Sequence, residues 1–183
     1  MRALLLVALA TLAAGCGGDR SVSLPAPLET SALPGLTARD RDLPAGVLAA
    51  DAFAPDELRV LLEDGGYAGG REREFTGHTD TFDHVLARTL RFDRPAGAAA
   101  YLDWVAAHTF ELVGRTRPRA PLALGPGSLL FELEPCGTCK KQLPTLVVVW
   151  RRDGAVGYVL ASGRKVDRGT VGPLAGAVDA TLR

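Results

Sequence analysis

Thr145-Leu146-Val147-Val148-Val149-Trp150-Arg151-Arg152, then Asp153-Gly154, then Ala155-Val156-Gly157-Tyr158-Val159-Leu160-Ala161 is the stretch on which the fold reading turns. Two runs rich in β-branched and aromatic residues flank an Asp-Gly pair. That pair suits the two positive φ angles of a type I′ turn and predicts a tight antiparallel hairpin. Upstream of it, Ser128 to Glu134 alternates, with Leu129, Phe131 and Leu133 on one face, as in a strand covered on one side. Downstream, Val171, Leu174, Ala175, Val178 and Leu182 recur at helical spacing behind Thr170 as N-cap, with Pro173 in the first turn.

Further from the hairpin the punctuation stays regular back to Asp51. Pro55 suits a helix start, Asp56 and Glu57 sit where the helix dipole favours acids, Leu58, Leu61 and Leu62 share a face, and Gly65-Gly66 ends the run. Tyr67 to Gly77 and Thr81 to Phe92 read as two strands joined by Gly77-His78-Thr79-Asp80. In the second, Phe82, Leu86, Leu90 and Phe92 lie on one side and Val85, Ala87 and Thr89 on the other. Pro95 opens a longer helix with Leu102, Val105, Ala106, Thr109, Leu112 and Val113 on one stripe, closed by Gly114. The predicted order is α-β-β-α-β-β-β-α. It describes an α+β domain, mainly an antiparallel sheet of about five strands with its apolar side covered by helices.

Composition bounds the partners. The chain has 183 residues, 47% hydrophobic and 23% charged, with zero formal net charge, which is room for one packed core and gives no electrostatic reason to expect nucleic acid. The balance hides an asymmetry: residues 17–114 carry a net −7 and residues 115–183 a net +6. The expectation is that the two halves interleave in one fold and mix these charges on its surface.

The N-terminus addresses the compartment. After Arg2, residues 3–14 form an uncharged run, too short for the roughly 20 apolar residues of a membrane span. A basic start, an apolar run and then small residues form the pattern of a secretory signal peptide over residues 1–15. Leu12-Ala13-Ala14-Gly15-Cys16 resembles the lipobox of bacterial lipoproteins, with Ala13 standing where Leu is commonest. The resemblance implies cleavage before Cys16, a diacylglyceryl thioether on its sulfur and an N-acyl chain. Two or more acyl chains make a firm anchor, since each buried methylene contributes about 0.8 kcal/mol. Residues 16–50, with Pro25, Pro27, Pro34 and Pro44 and no regular period, read as a flexible tether, and residues 51–183 as a single extracytoplasmic domain.

Cys136-Gly137-Thr138-Cys139 is the one constellation that resembles redox or metal chemistry. Leu143-Pro144-Thr145 looks like the proline strand of thioredoxins, yet a redox pair wants its first Cys at a helix N-terminus, and Pro144 leaves no room for that helix. A metal site would need two of His78, His84 and His108 at no known ligand spacing. In an exported chain a structural disulfide between Cys136 and Cys139 is the better reading. Hydrolase, zincin and phosphate-loop motifs are absent from the sequence, so neither a catalytic residue, a metal nor a cofactor is expected. Tyr101, Trp104 and His108, at spacings of three and four beside the polar stripe of the long helix, are candidates for a half-exposed ligand patch, against the alternative of core-edge packing.

The chain has no Ile and no Asn, whose codons are AT-rich, and so reads as the product of a GC-rich genome. In lipobox and texture it resembles small lipoproteins of actinobacteria. In element order from Asp51 to Arg183 it resembles, more weakly, the extracytoplasmic sensor domains of mycobacterial receptor kinases, which have more than one disulfide. The expected function is a non-catalytic module, lipid-anchored at the outer face of the cell membrane (or in the periplasm or outer membrane), that binds an envelope protein or a small apolar ligand. The alternatives are a thiol-disulfide oxidoreductase using Cys136 and Cys139, and a structural envelope protein.

Overall fold

The computed structural model describes residues 24–52, 54–108, 115–125, 127–134 and 142–183. Cys16, Cys136 and Cys139, and with them the expected lipid anchor and disulfide, lie outside the described residues.

Seven strands form one antiparallel sheet: β1 (Leu36–Asp42), β2 (Tyr67–Gly77), β3 (His84–Phe92), β4 (Thr116–Arg119), β5 (Leu129–Leu133), β6 (Thr145–Arg152) and β7 (Ala155–Ser162), in the order β1-β2-β3-β7-β6-β5-β4. Among the described residues, four α-helices accompany them: α1 (Ala45–Ala50), α2 (Pro55–Gly65), α3 (Pro95–Ala107) and α4 (Arg168–Thr181). The α+β class and the core of the predicted order hold, and the strand number rises from about five to seven. The two extra strands are both edges. β4 lies in a Pro-rich, basic stretch, where Pro118 is tolerated because an edge strand need not donate on its outer side. β1 carries Arg39-Asp40-Arg41-Asp42 instead of an apolar alternation, the kind of charged sequence that keeps an edge from pairing with other chains.

β6 and β7 sit near the centre, and the hairpin forms where the sequence places it, with Arg152 opposite Ala155. The turn type differs from the expected type I′. Asp153 has φ 53°, but Gly154 lies outside the left-handed region. Glycine is needed there for proximity: a Cβ on Gly154 would stand 2.6 Å from the Phe92 carbonyl oxygen, while Phe92 N–H donates to the Gly154 carbonyl at 2.7 Å.

The sheet is covered on both faces, not on one, because all of Thr145–Trp150 and Ala155–Val159 is buried. The first face packs Phe75, Val85, Leu130, Val148, Trp150 and Val159 against α4 and against a strap containing Leu28 and Leu33. The second face packs Leu90, Phe92, Val147, Val149, Val156 and Tyr158 against α1, α2 and α3. Phe82, expected beside Leu86, packs instead in the first core, because the strand starts at His84.

The stretch expected to be a tether up to residue 50 is folded from Leu24 onward. Leu24, Leu28 and Leu33 are buried, and two arginines of β2 hold the strap: Arg71 Nη1 donates to the Leu24 carbonyl at 3.2 Å and Arg73 Nη1 to the Leu28 carbonyl at 2.6 Å. α4 starts before Thr170, since Asp167 caps it in a reciprocal box with Thr170. Pro173 therefore falls in the second turn. The expected mixing of charges also fails at the level of strands. β3 pairs with β7, the last strand, so strands of the acidic half and of the basic half stay contiguous on either side of that seam.

Candidate functional site

Arg39-Asp40-Arg41-Asp42 on β1 runs antiparallel to Arg71-Glu72-Arg73-Glu74 on β2, in the register Arg39 to Glu74, Asp40 to Arg73, Arg41 to Glu72 and Asp42 to Arg71. Every facing pair has opposite charge, which favours this register over its neighbours. Alternation then sends Asp40, Arg71 and Arg73 to the first face, where Asp40 takes Arg73 Nε at 2.5 Å. The Arg73 hydrogen bond, outweighing the opposing effect of burial, holds the Asp40 carboxyl below its ordinary range. Arg39, Arg41, Glu72 and Glu74 go to the second face.

There, register stacks three rows across the sheet. The innermost runs Arg41, Glu72, Arg88, Tyr158; the next Arg39, Glu74, Leu86, Leu160; the outermost Thr37, Thr76, His84, Ser162. The inner row closes into a ring of alternating charge with Asp51, the C-terminal cap of α1. Arg41 Nε donates to Glu72 Oε1 at 3.1 Å and Arg88 Nε to Glu72 Oε2 at 2.5 Å. Arg41 Nη2 is paired with Asp51, and Arg88 Nη2 lies 4.0 Å from Asp51 Oδ2. The Glu72 side chain is only 7% exposed. Arg88 also lies over the Tyr158 ring at 5.4 Å from its centroid. Despite the cost of burial, the charges and hydrogen bonds around Arg88 keep its guanidinium more firmly protonated than usual.

Arg39, Arg41, Asp51, Glu72, Glu74 and Arg88 line an open groove of about 510 Å³ over this half of the face, floored in part by Leu86. His84 Nε2 sits 3.0 Å from Glu74 Oε1 at its rim. A second cleft, about 390 Å³, lies on the first face between β5, β6 and the start of α4, with Leu130, Leu146 and Val166 as an apolar floor. Its polar rim is internally matched. Glu132 takes Arg117 and Arg119, and Arg168 donates to the carbonyls of Ala120 and Pro121.

Tyr101 and Trp104 do not form a half-exposed patch. Both are buried, at 4% and 5% exposure, because α3 is wedged between α2 and the sheet and buries a wider arc than its apolar stripe. Tyr101 packs on Phe92 and Trp104, and His108 stacks on Trp104 at 4.6 Å. His108 remains partly exposed, with Nδ1 2.9 Å from the Trp104 carbonyl. Burial raises the Tyr101 hydroxyl to about 12, against the opposing charge of nearby Arg88. Of the three histidines, His78 and His84 pair with Asp83 and Glu74, and among the described residues no three His, Cys, Asp or Glu side chains are grouped to hold a metal ion. Arg41, Asp51, Glu72 and Arg88 form no local motif and are joined only through the fold. The complementary Arg-Asp and Arg-Glu runs were the available signal.

The molecule is thus a mixed α/β protein built on a seven-stranded antiparallel sheet, with a charged groove on one face. No protein-family model and no curated protein sequence matches the chain. Among solved structures it is similar to the extracellular domain of PknH from Mycobacterium tuberculosis, with a TM-score of 0.52 and 11% identity over 83% of this chain and 87% of that one. At that identity the likeness is one of fold.

Proposed function

We propose that the chain is a non-catalytic, sensor-like binding module, exported and anchored by acyl chains on Cys16, and that its ligand site is the groove on the second face. The observation that carries this reading is the groove itself. Among the described residues, this half of the sheet face is left uncovered over its charged row and Leu86, with a nearly buried Glu72 and two arginines at its inner wall. The walls of the groove are almost wholly charged, with Leu86 as the apolar part of the floor, a lining whose complement is a ligand that itself carries charge. The fold shared with an extracellular domain and the lipobox-like Leu12–Cys16 support an envelope setting, where a Cys136–Cys139 bridge would brace the loop between β5 and β6.

A fragment library screened by thermal shift against the full chain and against Leu86→Trp tests the groove. Hits that raise the melting temperature of the wild type and not of Leu86→Trp support it; hits indifferent to that substitution overturn it. For the anchor, Cys16→Ser is expected to release the protein from membranes or leave it unprocessed. A variant still fractionating as a mature lipidated form would overturn lipidation at Cys16.

A further inference from the structure

On the reading that the groove binds a ligand, the geometry points to a seat for one carboxylate group between Arg41 and Arg88, occupied in the free protein by Asp51 and surrendered when a ligand carboxylate arrives. The two acids of the ring are unequal. Glu72 comes from within the sheet and engages the Nε of both arginines, at 3.1 and 2.5 Å. Asp51 is 38% exposed, comes from the connection after α1 and meets the outer Nη2 nitrogens, reaching only 4.0 Å on the Arg88 side. Glu72 is therefore the fixed acid and Asp51 the exchangeable one.

Asp51 is also poorly placed for its own helix, because a carboxylate at a helix C-terminus faces the unpaired carbonyls and is disfavoured there. Arg41 and Arg88 hold it in that position. It can swing outward without breaking a sheet hydrogen bond, since it belongs to no strand. The nitrogens it vacates are guanidinium edges, which match the two oxygens of a carboxylate.

Charge decides the ligand class. Asp40, which also borders the groove, is neutralised by Arg73 on the opposite face, so with Asp51 withdrawn Arg39, Arg41 and Arg88 face Glu72 and Glu74, a net +1 that one negative charge balances and a dianion overcompensates. Beside the seat, Leu86 and Leu160 are half-buried and adjacent on the same face. The ligand is accordingly a monocarboxylate whose apolar portion lies along these leucines, with Thr37, Thr76 and Ser162 beyond them for hydroxyl or amide groups.

A tethered competitor acts like a free one at millimolar or higher concentration, so neutralising it raises ligand affinity. The test is an NMR titration of the full chain in detergent micelles with sodium butyrate, with chloride and inorganic phosphate at matched ionic strength as comparators. Butyrate is expected to shift the Arg41 and Arg88 Nε–H signals saturably, Asp51→Asn to bind it about tenfold more tightly, and Arg41→Met to lose it. Asp51→Asn keeps the size of the side chain, and its unchanged amide spectrum outside the groove serves as the folding control. Butyrate shifts at the Leu86 and Leu160 methyls that are equal in wild type and Asp51→Asn overturn the exchangeable seat and leave the groove as a ligand site. No groove response to butyrate in either protein also overturns the seat, while the groove answers to the Leu86→Trp screen. A preference of Asp51→Asn for phosphate overturns the monocarboxylate class.

Discussion

Two carboxylates are buried on opposite faces of this sheet, and they are used differently. Asp179 of α4, 5% exposed, lies against the first face and accepts from Trp150 Nε1 at 3.0 Å, Arg152 Nε at 2.9 Å and Arg183 Nη2 at 3.3 Å. Its partners come from β6 and from the end of its own helix, and neither pocket reaches it. It pins α4 to the hairpin. Glu72, similarly buried, has its partners arranged along the wall of an open groove. Removing a charge from water is costly in both places, and it is compensated by paired guanidinium groups in both. What distinguishes them is shape: the first cluster fastens a helix to a hairpin, whereas the second lies along the wall of a groove.

The comparison predicts unequal damage. Asp179→Ala orphans a buried indole N–H and leaves Arg152 short of its main partner. It should lower unfolding free energy by about 3 kcal/mol, discounted from a fully buried pair because Arg152 is one-third exposed. Urea denaturation measures this, and an unchanged midpoint would remove the joint from the account. Glu72→Ala should cost less, about 2 kcal/mol, since Arg88 keeps Asp51 and water can enter through the groove. If it costs more than Asp179→Ala, the distinction between joint and groove wall fails. Arg41→Met, at a side chain 43% exposed, should change stability by less than about 1 kcal/mol, leaving its effect to the groove.

Acid separates the clusters further. Burial pushes the Asp179 carboxyl up, but hydrogen bonds from Arg152, Trp150 and Arg183 overcome it and leave the group below its ordinary range. A depressed folded value means that the unfolded chain takes up the proton first as pH falls. The stabilisation is complete above the unfolded value, about pH 4, and disappears as pH drops through the folded one. The advantage of wild type over Asp179→Asn should therefore be constant near neutrality and vanish in acid. An advantage that grew in acid would contradict the sign.

The hairpin could be read from sequence because its β-branched runs and Asp-Gly pair are local signals, and β2 because Gly66 and Gly77 bound it. β1 could not be read in the same way: an exposed edge has no apolar face to bury, so its four alternating charges look like linker until they are aligned against Arg71–Glu74. The groove went unseen for the same reason, since Arg88 and Glu72 are neighbours only through strand pairing. For Tyr101 and Trp104 both a half-exposed patch and core packing fit the sequence, and the structure takes the second because α2 covers the far side of α3, which helical periodicity within one segment does not encode. Gly154 looked like a φ requirement, and its true constraint, the approach of Phe92, is tertiary.

The most direct test of the groove as the working surface is an amide chemical-shift map of the full chain titrated with the fragments that stabilise it in the thermal screen. Saturable shifts concentrated on Arg41, Glu72, Leu86, Arg88 and Leu160 are the predicted result. Shifts concentrated instead on Leu130, Leu146 and Val166 beside α4 would contradict it and move the site to the opposite face of the sheet.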